Sequence, residues 1–109
     1  MKVVILKTAE RDIKEIYQYI ARDSTRYAIE TTRNIRKYIA SLKSSPYLGR
    51  YIPEVDDKRY RELIYKSYRI VYTMSLNRNT IYILFVVHGK RNFKSVLKSN
   101  IREIKNLFS

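Results

Sequence analysis

The sequence contains no cysteine, no tryptophan and a single histidine, and it has few acidic residues. Without cysteine, disulfide bonds and thiolate zinc sites cannot form, and one histidine is too few for a histidine-rich metal site. No stretch approaches the roughly 20 apolar residues that span a membrane. The start, MKVVILK, becomes charged too early for a signal peptide. We therefore expect no metal, no cofactor, no membrane segment and a cytoplasmic location.

The signatures of several common enzyme classes are also missing. The chain has no G-x-x-x-x-G-K-[ST], no G-x-G-x-x-G and no H-E-x-x-H. A Ser-His-Asp triad could use only His88, and no serine stands in a nucleophile-elbow context. Cationic side chains are therefore the main candidates for any chemistry.

Positive charge dominates the composition. The 109 residues include 23 Lys and Arg against 10 Asp and Glu, which gives a net charge of +13. The isoelectric point near 10.1 exceeds the value of about 9 that is typical of nucleic-acid-binding domains. Two kinds of partner fit this charge, namely nucleic acid or the ribosome, and an acidic protein. The apolar content of 45% predicts one folded domain over residues 1–109.

Residues 59–91 organise the predicted fold. Three segments rich in Ile, Val, Leu, Tyr and Phe, separated by short polar breaks, predict antiparallel strands at 59–66, 68–76 and 80–88. In the second segment Ile70 and Tyr72 share one face, and Arg69 points to the other. The third segment is apolar throughout, which indicates a central strand covered on both sides.

The remaining segments complete an α+β fold. A first strand is expected at 2–7, helices at 9–22, 25–44 and 94–107, and the main loop between the second helix and the sheet. Thr8 is the predicted cap of the first helix, and Asp23 or Ser24 that of the second. The resulting order is β-α-α-β-β-β-α, an antiparallel sheet packed against an N-terminal helical hairpin. The first strand should lie beside the last.

A group of basic residues marks the ends of the predicted strands. Its members are Arg59, Arg61, Lys66, Arg69, His88, Lys90 and Arg91. Cations that converge on a concave sheet face can bind phosphate and stabilise the transition state of phosphodiester cleavage. His88 could act as acid or base, and RNA cleavage by the 2′-hydroxyl needs no metal.

Structural roles for the same residues remain open. Arg69 could pair with Glu54 or Glu62 across the sheet, and His88 could be a hydrogen-bonded residue at a strand end. Lys90 and Arg91 could be solvated. Glu54 is either a general base near the cations or a carboxylate that fixes the loop.

Several short motifs carry a family resemblance. They run in order from Ala9-Glu10-Arg11-Asp12-Ile13 through Gly49-Arg50 and Pro53-Glu54 to Arg61-Glu62-Leu63, Tyr68-Arg69-Ile70-Val71-Tyr72 and Val87-His88-Gly89 with Arg91. Over about ninety residues, the chain resembles the ParE/RelE superfamily, the toxins of type II toxin–antitoxin modules. The resemblance implies a compact sheet with a flanking helical hairpin. It also implies a small antitoxin, whose often acidic C-terminal segment wraps the toxin in a hetero-oligomer.

The resemblance implies two alternative targets. RelE-like members cut mRNA on the ribosome with basic residues, which Arg61, Arg69 and Arg91 match, whereas Leu63 and Leu97 stand where a lysine and a tyrosine are expected. YoeB-like members use a glutamate, an arginine and a histidine, which Glu54, Arg69 and His88 match, with Gly89 in the place of a tyrosine.

ParE-like members instead inhibit DNA gyrase by binding and need no catalytic residue. The loop Gly-Arg-x-x-Pro-Glu and the ending His-Gly-x-Arg are more similar to these members. We therefore favour a gyrase-binding toxin over an mRNA endonuclease. The catalytic assignments of Arg61, Arg69, His88, Arg91 and Glu54 hold only for the nuclease, and Arg59, Lys66 and Lys90 are expected to contact the target.

Overall fold

A computed structural model describes residues 1–89 and 93–108, with side chains through residue 102. The elements in these ranges are β1 (Lys2–Ile5), α1 (Lys7–Ala21), α2 (Thr25–Ser41), β2 (Arg50–Tyr51), β3 (Tyr60–Tyr65), β4 (Tyr68–Ser75), β5 (Thr80–His88) and α3 (Phe93–Phe108). The predicted α+β architecture is confirmed with one addition. The short strand β2 lies in the segment predicted as loop, because two residues are too few to show a strand pattern.

The five strands form one sheet in the order β1-β5-β4-β3-β2. Strand β1 runs parallel to β5, and the other neighbours are antiparallel. The predicted position of β1 beside the last strand is confirmed. Strand β5 is therefore paired on both edges.

Apolar layers cover both faces of the sheet. The helical hairpin of α1 and α2 packs on one face, where Ile13 and Ile35 meet Ile70 and Tyr72. Phe93 and Leu97 of α3 cover the other face, together with Val71 and Phe85. The predicted division of β4 into an Ile70 and Tyr72 face and an opposite face is confirmed. These two sides are called the hairpin face and the α3 face below.

A bulge in β5 changes which residues face each layer. Val71 and Tyr72 of β4 pair with Phe85 and Ile83, so Leu84 is an extra residue between them. Leu84 and Phe85 both belong to the core on the α3 face. The bulge therefore reverses the alternation of side chains for the rest of the strand.

Two side chains of α1 complete the backbone hydrogen bonding of β5. The hydroxyl of Thr8 donates to the carbonyl of Leu84, and Asp12 Oδ2 accepts from the amide of Val86 at 2.9 Å. The prediction of Thr8 as N-cap is wrong, since Leu6 is the N-cap residue and no side chain caps the helix. Thr8 instead supports the strand beyond the end of β1. Of the two predicted caps of α2, Asp23 and Ser24, it is Ser24 that caps the helix, accepting from the Tyr27 amide at 3.1 Å.

Candidate functional site

Arg69 on β4 lies at the centre of an ion-pair network on the α3 face. Its Nε and Nη2 donate to the two Glu62 oxygens at 2.7 and 3.0 Å. Its Nη1 and Nη2 donate to the two Glu54 oxygens at 2.6 and 2.8 Å. The ring of Phe93 covers the guanidinium, with 3.4 Å between its centroid and Cζ. All three guanidinium nitrogens are therefore engaged, and the side chain is only 12% exposed.

The network balances its own charge. The Glu62 side chain is fully buried, and its Oε2 also accepts from Arg50 Nε at 2.9 Å. The hydrogen bonds from Arg69 lower the pKa of Glu54, and the pairing with Glu54 raises the pKa of Arg69. Two carboxylates thus compensate two guanidinium groups. This arrangement fixes Glu54 in its loop and leaves Arg69 poorly placed to bind an incoming phosphate.

Arg61 on β3 occupies a different environment. Its Nη1 donates to the carbonyl of Gly49 at 2.8 Å. Its guanidinium carbon lies 4.3 Å from the ring centroid of Tyr51 and 5.2 Å from that of Tyr47. Arg61 therefore supports the loop before β3 and holds two tyrosines through cation–π contacts.

Arg61 and Arg69 lie on opposite faces of the sheet. Arg61 pairs with Tyr72, whose side chain belongs to the hairpin-face core. Arg69 bonds to Glu62, the neighbour of Arg61 along β3, and neighbouring strand residues point to opposite faces. The predicted convergence of these two cations is wrong. The structural alternative, in which Arg69 pairs with Glu54 and Glu62, is the one observed.

His88 lies in a cleft on the hairpin face, apart from both arginines. Its ring meets Tyr68 edge to face at 5.4 Å between centroids. The cleft has a volume of about 420 Å³ and also contains Asp12, Glu15 and Tyr19. Burial raises the pKa of the Tyr68 hydroxyl. His88 thus neighbours carboxylates and tyrosines, and neither Arg61 nor Arg69 lines its cleft.

The other basic residues named from the sequence are dispersed. Arg59 Nη2 bonds to Asp57 at 2.7 Å on an exposed part of the loop. Lys66 occupies the β3–β4 turn with φ of 51°, and its ammonium lies 5.3 Å from the Tyr27 ring centroid. Lys90 and Arg91 lie outside the described residues.

The outer side of the helical hairpin carries exposed cations around shallow grooves. Two adjoining grooves, of about 410 and 460 Å³, share Tyr17, Thr32 and Arg36. Their basic lining comprises Arg11, Lys14, Arg33, Arg36 and Lys37. Glu10 forms a bidentate pair with Arg36 and has a lowered pKa because of that hydrogen bonding. This surface, called the hairpin outer face below, combines positive charge with a partly apolar floor.

Two features of the Arg69 site were not predicted from the sequence. One is the contact of Phe93 with Arg69, and the other is the strand register that the turn between β3 and β4 imposes. The two-residue connection pairs Tyr65 with Tyr68, and this register places Arg69 opposite Ile64. Counting back along β3 from Ile64 puts Glu62, and not Arg61, on the side of Arg69. The signal was therefore present in the spacing. No sequence signal predicts the contact of Phe93 with Arg69, because this contact depends on where α3 packs on the sheet.

Two classes of site are not found in the described part of the chain. No group of three or more His, Cys, Asp or Glu side chains there is arranged to hold a metal ion. Among the described helices, none has the length and apolar character to cross a membrane.

Comparison with known families decides the relationship. Residues 3–93 match the family model of the ParE toxin of the type II toxin–antitoxin system parDE. The chain belongs to the ParE toxin family. It is therefore a ParE/RelE-type toxin of type II toxin–antitoxin systems, as the motifs predicted. Comparison with curated protein sequences gives no significant match.

Solved structures share the fold of this ParE-family toxin. The chromosomal ParDE toxin–antitoxin system of P. aeruginosa is 17% identical, with a TM-score of 0.69 over 83% of this chain and 97% of that one. The toxin–antitoxin complex RelBE2 from Mycobacterium tuberculosis is 19% identical, with a TM-score of 0.60 over 80% and 95%. The isolated E. coli RelE toxin is 13% identical, with a TM-score of 0.60 over 94% and 97%.

Proposed function

We propose that this ParE-family toxin arrests growth by binding DNA gyrase, without chemistry of its own. The observation that carries the proposal is the state of Arg69, whose guanidinium is held by two carboxylates and covered by Phe93. Phosphodiester cleavage without a metal requires cations positioned at the reacting phosphate. Arg69 would have to leave both Glu54 and Glu62 before it could serve there.

The separation of the other candidates supports the same proposal. Arg61 is engaged by Gly49 on the hairpin face, and His88 lies in its own cleft beside Tyr68. Acid–base catalysis depends on groups within hydrogen-bonding reach of one substrate atom. The described candidates offer no common point from which Arg61, Arg69 and His88 reach one phosphate.

The hairpin outer face is the surface that we assign to the target. It presents Lys14 of α1 and Arg33 of α2 on either side of the grooves around Tyr17. An apolar floor with a basic rim suits an acidic protein surface, because tyrosine supplies contact area and the rim charges steer association. Binding there needs no reactive group.

A cognate antitoxin is the second partner of the proposal. Two of the similar solved structures are described as a ParDE toxin–antitoxin system and as the RelBE2 toxin–antitoxin complex. A net charge of +13 favours an antitoxin with an acidic segment that orders as it binds. The inactive form would then be a toxin–antitoxin hetero-oligomer in the cytoplasm, where gyrase acts.

A ribosome-dependent mRNA endonuclease is the alternative function. The net charge of +13 favours it, because a ribosomal RNA surface attracts a strongly basic protein. In that case Arg61 and Arg69 would hold the phosphate, His88 or Glu54 would move the proton and Arg91 would stabilise the transition state. Arg59, Lys66 and Lys90 would contact the nucleic acid.

A supercoiling assay tests the preferred function. Purified toxin should inhibit gyrase, and Lys14→Glu with Arg33→Glu should weaken inhibition at least tenfold by reversing the rim charges. Lys2→Glu with Arg78→Glu, at β1 and the β4–β5 turn, makes the same charge change away from the hairpin and should inhibit like the wild type. No inhibition by excess wild-type toxin would count decisively against gyrase as target.

Mapping of mRNA ends in cells separates the two functions. His88→Ala should still arrest growth if the toxin acts by binding, and no new mRNA 5′ ends should appear on induction. The nuclease function would be established instead by three results together. The wild-type toxin would produce new mRNA 5′ ends, and His88→Ala would lose toxicity but still bind the antitoxin. This variant is preferable to Arg69→Ala, because Arg69 also stabilises the fold.

A further inference from the structure

The cleft between α1 and the ends of β4 and β5 shares no lining residue with the hairpin outer face. Val86 and His88 of β5 form one wall together with Tyr68, the cross-strand neighbour of His88. The Tyr68 ring is held edge to face by the His88 ring. The volume of about 420 Å³ lies within the range of about 300–1,000 Å³ that is typical of small-molecule sites. The cleft is therefore large enough for a small ligand.

Helix α1 places two carboxylates on the opposite wall. Asp12 and Glu15 are three residues apart, so their side chains lie on the same side of the helix, and both line the cleft. Tyr19, one turn after Glu15, also lines the cleft and is 71% exposed. Asp12 Oδ2 accepts from the Val86 amide at 2.9 Å, which fixes this carboxylate against the strand. The fold itself therefore sets the position of negative charge in the cleft.

The sign of this charge is opposite to that of the whole chain. The net charge is +13, yet no lysine or arginine of the described residues lines the cleft. Two carboxylates repel anions such as phosphate, so the complementary ligand is a cation. In the described part of the chain, Asp12, Glu15 and His88 are not arranged as a group that could hold a metal ion. An organic cation is therefore the ligand that fits.

The tyrosines select the kind of organic cation. Tyr19 and Tyr68 both line the cleft, and tyrosine rings attract cations over their faces. Tyr19 already makes such a contact, since the guanidinium carbon of Arg22 lies 5.8 Å from its ring centroid. A guanidinium group is planar and weakly hydrated, so it can stack on a ring while its N–H groups donate to carboxylates. A compact ammonium group is more strongly hydrated and has no planar face to stack.

We propose that this cleft binds the guanidinium group of an alkylguanidine. Asp12 and Glu15 accept its hydrogen bonds, and the tyrosine rings contact its face. Ile16 and Val86, which also line the cleft, contact the alkyl chain. A free small molecule and an arginine side chain of another protein carry the same group, and the experiments below distinguish these two sources. The site goes beyond the proposed gyrase binding.

A titration of the full chain with N-butylguanidinium, followed by heteronuclear NMR, tests the site. Amide signals of α1 and of the end of β5 should shift saturably. Glu15→Gln with Tyr19→Leu should weaken binding at least tenfold, because one carboxylate and one ring are lost. Both side chains are exposed, so the spectrum of this variant should remain that of the folded protein.

Glu30→Gln with Tyr47→Leu is the matched control for this variant. It makes the same two chemical changes at exposed residues of α2 and of the loop before β3, and it should bind like the wild type. Equal affinity of the two double variants, or the absence of saturable shifts in the wild type, would overturn the proposal.

Two related ligands test the charge and the shape of the bound group. N-butylurea is neutral but has nearly the same shape, so it should bind at least tenfold more weakly than N-butylguanidinium. Butylammonium keeps the charge without the planar fork and should also bind more weakly. Butylurea that binds as tightly would show that only the alkyl chain is recognised, and butylammonium that binds more tightly would rule out selection of guanidinium.

A blocked arginine, N-acetylarginine N-methylamide, distinguishes the two sources. Binding at least as tight as that of N-butylguanidinium would assign the cleft to an arginine side chain of a partner protein. Binding at least tenfold weaker would assign it to a free alkylguanidine. Since gyrase is absent from these titrations, their failure leaves the supercoiling test untouched.

Discussion

Arg69 connects three separate parts of the chain through one side chain. It binds Glu54 in the loop after β2 and Glu62 on β3, and it stacks on Phe93 at the start of α3. A buried carboxylate such as Glu62 is stable only while its charge is compensated. A residue matched to catalysis by family resemblance therefore has a structural role that geometry alone reveals.

Replacing Arg69 by leucine should strongly destabilise the fold. Glu62 would remain buried with only the exposed Arg50 as partner, and breaking a buried pair in this way costs about 3–5 kcal/mol. Urea denaturation should show the loss, and adding Glu62→Leu should recover part of it by removing the uncompensated charge. Arg59→Leu, which breaks an exposed pair with Asp57, should leave the midpoint unchanged. Equal midpoints for Arg69→Leu and Arg59→Leu would contradict the assigned role.

Stability should decrease in acid because of the lowered pKa of Glu54. A carboxyl whose folded pKa lies below its ordinary value of 4.5 stabilises the fold above pH 4.5, and this contribution is lost as the pH falls through the folded pKa. Glu54→Gln should therefore flatten the decrease in unfolding free energy between neutral pH and pH values below 4.5. Glu30→Gln, an exposed change on α2, should keep the wild-type slope. Identical slopes for the two variants would refute the linkage.

At the scale of elements, the loop before β3 depends on the absence of a side chain at Gly49. A Cβ there would lie 2.6 Å from both the Glu62 carbonyl oxygen and the Tyr72 hydroxyl. The requirement is steric, because the backbone carbonyl cannot move without disturbing β3. Close approach of loop and strand is what allows Tyr72 to bond the loop from inside the core.

Gly49→Ala should therefore lower the melting temperature by several degrees, corresponding to roughly 1–3 kcal/mol of overpacking. Gly89→Ala is the matched control, since among the described residues its Cβ would meet the Ser67 carbonyl oxygen at 3.2 Å, a looser approach than the 2.6 Å at Gly49. Thermal unfolding followed by circular dichroism compares the two variants. If Gly49→Ala melts with the wild type, the loop is less rigid than its contacts indicate.

The elements themselves were largely predictable from the sequence. Alternation in β4 correctly placed Ile70 and Tyr72 on one face, opposite to Arg69, and the structure shows that this face packs against the helical hairpin. The apolar run of β5 correctly predicted a strand paired on both edges. The hydrophobic pattern was sufficient to predict these strand positions and faces, because burial of a strand directly selects apolar residues on the buried side.

The candidate site was less predictable because side-chain direction depends on register. A uniformly apolar β5 contains no signal for the bulge at Leu84, which sets the side to which His88 points. The predicted convergence of Arg61 and Arg69 is wrong because it rested on their positive charge alone. The register imposed by the two-residue turn places their side chains on opposite faces of the sheet. Similarity of short motifs was enough to identify the family. The roles of the individual basic residues became clear only from the three-dimensional structure.

At the scale of the whole molecule, four of the ten acidic residues form ion pairs within the described part of the fold. Glu10, Glu54, Glu62 and Asp57 each pair with an arginine. The surplus of positive charge is therefore left for the surface, including the hairpin outer face. Such a surplus favours binding to acidic partners and opposes the compact state by self-repulsion.

Added salt should consequently stabilise the free toxin. Raising the ionic strength from about 0.01 M to about 1 M shortens the Debye length from about 30 Å to about 3 Å. The longer distance exceeds the radius of gyration of 13.6 Å, so at low salt repulsion acts across the whole molecule. The melting temperature measured by calorimetry in sodium chloride should therefore rise with salt. Lys14→Gln with Arg33→Gln lowers the net charge by two and should reduce the slope. A melting temperature that falls with salt would mean that ion pairs such as Arg69–Glu54 outweigh repulsion.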